Sequence, residues 1–137
     1  MKIVGLISGI ALSLLVPVFG LAGEPGAPSG VPSIAAPDAI VEAGDVVVLD
    51  VRTVAEFQAG HIENAVNIDV TQAGFSEAIQ SLDPKRTYLV HCGANTPNGR
   101  ADRALATLQQ AGFSQLVSLE GGYVAWVAAG GAVTEAQ

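Results

Sequence analysis

Thr87-Tyr88-Leu89-Val90-His91-Cys92 runs directly into Gly93-Ala94-Asn95-Thr96-Pro97-Asn98-Gly99, and that into a segment from Arg100 to Ala111. The first piece is a short apolar run and reads as a strand over 87–91, with Cys92 at its carboxyl end. The second contains small and turn-forming residues and no acid. The third places Ala101, Ala104, Leu105, Leu108 and Ala111 three and four apart, the spacing of a helix with one apolar face. Gly112 ends it. A buried strand, a tight loop and an amphipathic helix in that order form half of a parallel β-α-β unit.

The flanking sequence repeats the alternation. Val46-Val47-Val48-Leu49 is a continuous β-branched run that suits a strand covered on both faces. Asp38 to Ala43 reads as a short helix stopped by Gly44. Thr53 is placed to cap a second helix that ends at Gly60. Ala65 to Ile68 is another short strand. Phe75 to Leu82 is a helix closed by Asp83-Pro84, Leu116 to Leu119 a strand, and Tyr123 to Ala129 a last helix. This pattern predicts an α/β domain: a small, mostly parallel sheet flanked by helices on both faces, joined by right-handed crossovers. Ligands on such sheets bind beyond the carboxyl ends of the strands. Asp50 and Cys92 both fall there.

The chain has 137 residues, enough for one domain. Half are apolar and 14% are charged, far from a disordered composition. A single cysteine excludes a disulfide framework, a paired-cysteine redox motif and a multi-cysteine zinc site, and with only two histidines no metal is expected. The net charge of −7 argues against nucleic acid or an anionic membrane as a partner. Lys2 is followed by an apolar stretch broken by Pro17 and Gly20, with small residues at Gly20 and Ala22. This reads as a signal peptide over 1–22, hence a periplasmic or secreted protein, with an uncleaved membrane anchor as the alternative. Residues 23–36, rich in Pro, Gly and Ser, read as a flexible lead, and the folded domain is expected over 37–137. An oxidising compartment makes a lone cysteine either buried and inert or exposed for a reason.

The chemistry centres on Cys92. A loop of small residues between a strand end and a helix start can turn its backbone N–H groups toward one point, where they and the helix dipole favour a thiolate or an oxyanion. Gly93, Ala94, Asn95, Thr96, Asn98 and Gly99 are the candidate donors; Pro97 has none. Arg100 adds a permanent charge and a two-pronged donor for an anionic group, and Arg103 a supporting charge. A thiolate in an anion cradle suits sulfur or phosphoryl transfer. The plain alternative for Cys92 is a small core hydrophobe.

Asp50-Val51-Arg52 with Glu56-Phe57, then Gly60-His61-Ile62, Ala65 and Asn67-Ile68, resembles the N-terminal signature of the rhodanese family of sulfurtransferases. Cys92 matches that family's active-site cysteine, and Gly121-Gly122-Tyr123 with Ala125-Trp126 resembles its C-terminal signature. Glu63-Asn64 stands where the family often has Pro-Gly. The resemblance covers roughly residues 37–133 and implies the rhodanese fold. It also implies a cycle in which Cys92 takes sulfane sulfur from thiosulfate or a similar anion, holds it as a persulfide and passes it to a thiophilic acceptor, with no cofactor. One departure stands out. The family's sulfurtransferases have four residues between Cys and Arg, and its phosphatase and arsenate-reductase relatives five; here there are seven. The loop therefore carries an insertion of about three residues, with Pro97 among them.

Three functions follow as expectations: a sulfurtransferase, a phosphatase or arsenate reductase on the same fold, and a non-catalytic sulfur-carrier or binding module that docks another exported protein. Asp50 is expected either at the rim of the site or as a cap for the next turn. Arg52 and Glu56, four apart, are expected to pair with each other. His61 is expected to make a structural hydrogen bond. His91 should point to the opposite side of its strand from Cys92 and pack there. Trp126 and Tyr123 are expected to pack in the core and at its rim.

Overall fold

A computed structural model describes residues 30–35 and 45–135. The expected signal segment and the expected helix over 38–43 lie outside the described residues.

Seven strands are present among the described residues: β1 (Ser33–Ile34), β2 (Val46–Asp50), β3 (Gly60–Ile62), β4 (Val66–Asn67), β5 (Thr87–His91), β6 (Leu116–Leu119) and β7 (Val133–Glu135). The helices are α1 (Val54–Ala59), α2 (Phe75–Ala78) continued by a 3₁₀ turn (Ile79–Ser81), α3 (Arg100–Gln110) and α4 (Gly122–Ala128). Five strands form one sheet in the order β1-β6-β5-β2-β4, and every neighbouring pair is parallel. The apolar runs at 46–49 and 87–90 lie side by side, with Val46 opposite Thr87 and Asp50 opposite His91. This register brings Asp50 and His91 to the same carboxyl edge.

Alternation along the strands divides the core. Tyr88, Val90 and Cys92 join Leu49, Val51, Phe75, Ile79 and the apolar stripe of α3 (Ala101, Ala104, Leu105, Leu108) on one face. Leu89 and Leu119 pack with Ile62 and Trp126 on the other. Of the periodicity read from Ala101 to Ala111, Ala101, Ala104, Leu105 and Leu108 form the buried face of α3, while Ala111 lies past its end and is exposed.

Two features differ from the sequence reading. Part of the expected flexible lead is ordered. Ser118 N–H donates to Pro32 O and Glu120 N–H to Ile34 O, so β1 closes the edge beside β6. Two residues are too few to show alternation, and Pro32, which has no N–H, contributes through its carbonyl alone. The second feature is the antiparallel pair β3-β7, with His61 opposite Thr134. His61 therefore lies in a strand, where its Nδ1 contacts Phe57 O at 2.9 Å and its ring stacks on Phe57, the structural role expected of it.

Candidate active site at the Cys92 loop

Cys92 follows β5 and is 5% exposed. The loop after it is shaped from below by α4. Tyr123 N–H donates to Cys92 O at 3.0 Å and Val124 N–H to Gly93 O at 2.9 Å. In a trans peptide the N–H points opposite the C=O. Drawing these two carbonyls toward α4 therefore directs the N–H groups of Gly93 and Ala94 the other way, out of the loop's base. The approach is close. A Cβ on Gly122, whose φ is 61°, would lie 2.7 Å from Cys92 O and 2.8 Å from Gly93 O. Only glycine fits there.

Asn95 sets the turn. Its φ is 45°, in the left-handed region that asparagine tolerates. Its Oδ1 accepts the Cys92 N–H at 2.7 Å, and its Nδ2 donates to Ser118 Oγ at 3.2 Å on β6. The inserted residues form a turn of their own. Gly99 N–H donates to Thr96 O, and Asn98 N–H, at a φ of 57°, donates to Asp102 Oδ2 at 2.7 Å. The loop thus has two halves. In the second, Asn98 and Gly99 have engaged their N–H groups, so the sequence expectation for these two donors is corrected. In the first, among the described residues, no protein acceptor engages the N–H groups of Gly93, Ala94, Asn95 or Thr96.

Arg100 opens α3 and lies over this half; its Nη2 would be 3.6 Å from a Cβ on Gly93. Its guanidinium is held end-on by Glu56: Nη1 donates to Oε2 at 2.6 Å and Nη2 to Oε1 at 2.9 Å. The expected Arg52–Glu56 pair does not form, because Glu56 is turned toward Arg100. The Arg100 hydrogen bonds, against the opposing effect of burial and with help from Thr53, lower the Glu56 pKa from 4.5 to about 2. Glu56 also completes the cap of α1: Thr53 N–H and Oγ1–H donate to Oε2, and Glu56 N–H donates to Thr53 Oγ1. Asp69 brings a second carboxylate into the field of Arg100. Burial alone would raise its pKa, but Thr71, Gln72 and the Arg100 charge hold it below its ordinary value. Glu56 foremost, against the opposing effect of burial and with an addition from the Asp69 charge, raises the Arg100 pKa. Arg103 lies exposed on α3, three residues after Arg100.

Beneath the loop, on the face opposite Cys92, lies a buried polar cluster. Asp50 is fully buried and is not at the rim. It accepts Arg52 N–H at 3.0 Å, as a cap of the turn, and Arg52 Nη2–H at 2.7 Å. Arg52 Nη2 also donates to Gly60 O, and its guanidinium stacks 4.1 Å over the Tyr123 ring. Asn67 Nδ2 donates to Asp50 O and Arg52 O, tying β4 to the same turn. His91 points to this face, as expected. Its Nδ1 lies 3.0 Å from Cys92 O, which fixes the proton on Nδ1. Among the described residues its Nε2 has no hydrogen-bond partner, and it stands 3.7 Å from Asp50 Oδ2. An imidazolium would form an ion pair there, but burial outweighs that contact and lowers the His91 pKa. Asp50 is already matched by Arg52, so His91 is neutral.

Glu56, Asp69 and Gly122 are the site residues that sequence reasoning missed as such. Thr53 followed three residues later by Glu56 is a helix-capping signal and points to nothing else locally. Among the described residues no group of three or more His, Cys, Asp or Glu side chains is placed to hold a metal ion.

Fold and site together define a class: small parallel α/β domains that present one cysteine in a backbone loop ahead of a helix. The chain belongs to the rhodanese-like domain family, whose model matches residues 36–129. A thiosulfate sulfurtransferase GlpE from Coxiella burnetii is 30% identical over 90 residues, 65% of this chain and 78% of that protein. Thiosulfate sulfurtransferase 16 of Arabidopsis thaliana is 33% identical over 57% of this chain and 71% of that one. A probable adenylyltransferase/sulfurtransferase MoeZ from Mycobacterium tuberculosis is 35% identical over 59% of this chain, which spans only 20% of MoeZ. The chain spans about half of the Arabidopsis protein HIGH ARSENIC CONTENT 1, at 37% identity. The crystal structure of a rhodanese-related protein from Thermoplasma volcanium superposes with a TM-score of 0.65 at 31% identity, covering 75% of this chain and 97% of that one.

Proposed function

We propose that this chain is a sulfurtransferase that carries sulfane sulfur on Cys92. The observation that carries the reading is the first half of the loop. One cysteine stands beside four backbone N–H groups, of Gly93, Ala94, Asn95 and Thr96, with no protein acceptor among the described residues. Such a cradle stabilises a persulfide anion and the charge that develops on the leaving group. The Cys92 thiolate attacks the sulfane sulfur of thiosulfate. The Sγ–S bond forms, the donor's S–S bond breaks, and its electron pair leaves with sulfite. A thiophile such as cyanide then takes the outer sulfur and returns the thiolate. Each half-reaction balances without an oxidant or a cofactor. The relatives named thiosulfate sulfurtransferases support this reading.

The inserted turn at 96–99 leaves the first half of the cradle intact, which favours turnover over a purely binding module. Phosphoryl transfer is less well supported, because it needs an acid to protonate the leaving group. Glu56, with its pKa lowered to about 2, is ionised at neutral pH and holds no proton to give. Export through the 1–22 segment remains part of the proposal and rests on the sequence alone.

The test is intact mass after incubation with thiosulfate. A gain of about 32 Da, reversed by cyanide and absent in Cys92→Ser, is expected. No adduct with any sulfane-sulfur donor, with the thiol still open to alkylation, would overturn the reading.

A further inference from the structure

His91 is a fully buried side chain that the persulfide cycle does not use. It keeps one nitrogen idle: among the described residues Nε2 has no hydrogen-bond partner. An apolar side chain would fill the same space without burying an unpaired acceptor, so packing alone does not account for an imidazole there. Asp50 does not account for it either. Its carboxylate is matched by Arg52, and Nε2 stands 3.7 Å from it. What the imidazole supplies is the Nδ1–H, 3.0 Å from Cys92 O.

That oxygen belongs to the peptide that joins the cysteine to the first donor of the cradle. A carbonyl oxygen has two lone pairs. Tyr123 N–H takes one from α4, and His91 Nδ1–H takes the other from β5. Held by one donor, the peptide plane can turn about a single bond; held by two, it is clamped. The peptide is trans, so fixing its C=O toward α4 aims the Gly93 N–H the other way, into the cradle. Hydrogen bonds to the C=O also polarise the peptide and strengthen that N–H as a donor. Alternation along the strand makes this possible. The His91 ring lies on the face opposite Cys92 and reaches the peptide without crowding the thiol.

We propose that His91 is a positioning residue for sulfur transfer: its Nδ1–H holds the Cys92–Gly93 peptide so that the Gly93 N–H faces the outer sulfur of the persulfide. This rests on the persulfide reading of Cys92.

Two amides separate the two nitrogens. Asparagine places its N–H₂ where Nδ1 stands, and glutamine where Nε2 stands. Cys92 is the only cysteine and Gly93 follows it, so isotope labels on the cysteine carbonyl carbon and the glycine nitrogen pick out this one peptide by NMR. Its carbonyl resonance should move upfield in His91→Leu and His91→Gln and stay near the native position in His91→Asn. In single-turnover loading with thiosulfate, His91→Leu and His91→Gln should lower the maximal rate about tenfold, with the half-saturating concentration unchanged. His91→Asn should restore most of that rate. Should His91→Leu fail to fold, the Asn and Gln variants carry the comparison. If Gln restores the rate and Asn does not, the nitrogen facing Asp50 is the one that matters and the proposal is wrong. Equal rates in all variants would show that His91 only packs, and a carbonyl resonance unmoved by Leu or Gln would show that the clamp does not exist; either result overturns it. If the native protein loads no sulfur from any donor, the persulfide reading itself has failed and this role falls with it.

Discussion

Asn95 binds the loop to the sheet through one short side chain. Its Oδ1 takes the Cys92 N–H, its Nδ2 reaches Ser118, and its backbone occupies a left-handed position. Alanine at that position would leave the Cys92 N–H without its acceptor and strain the backbone. Asn95→Ala should cost about 1–3 kcal/mol in urea denaturation, with fewer cyanide-labile sulfurs loaded per chain. Asp50 makes a sharper case. Arg52 donates to it from its backbone N–H and its guanidinium, and both residues are buried. Asp50→Ala would leave that cation uncompensated. A loss of about 3–5 kcal/mol is expected, and replacing Arg52 by Met in the same chain should recover part of it. Recovery of nothing would show that Arg52 matters through its Gly60 and Tyr123 contacts rather than through its charge.

At the scale of the element, α1 links local capping to the site. Thr53→Ala removes the side-chain cap and one restraint on Glu56, and a loss of about 1 kcal/mol is expected by thermal or chemical denaturation. This helix also marks the limit of what the sequence reveals. The Thr53 cap and the stop at Gly60 are local signals, and both bounds follow from them. The apolar runs of β2, β5 and β6 and the α3 stripe are equally legible, because each element is long enough to show its period. The β1 pair and the β3-β7 ribbon are not, because two or three residues carry no period and exist through their partners. At the site, Cys92 and Arg100 are visible as residue types at a strand end and a helix start. The Glu56–Arg100 pair joins positions 44 apart and is set by how α1 packs over the loop, so the nearer Arg52 is the partner that spacing suggests. The inserted residues are legible as a lengthened loop, but not the fact that Thr96 and Gly99 close them into a separate turn.

At the scale of the molecule, three groups among the described residues that titrate on the acid side have lowered native pKa values, and their effects on stability share one sign. His91 is held neutral by burial, below its ordinary 6.5. When the chain unfolds it regains that value, so below about pH 6.5 the unfolded state binds the extra proton and stability falls. Glu56 behaves as a carboxylate with the same direction. Its contribution is complete above the unfolded value of 4.5 and is lost as pH falls toward about 2. Asp69 adds to this lower stage. Urea denaturation across pH should therefore show a plateau near neutrality, a first decline from about pH 6.5 and a second below about pH 4.5. His91→Asn should remove the first decline and leave the second. Glu56→Gln should weaken only the second, and by no more than about 1 kcal/mol, because the Glu56–Arg100 pair is partly exposed to solvent. A first decline that survives His91→Asn would mean that some group other than His91 takes up the proton on unfolding.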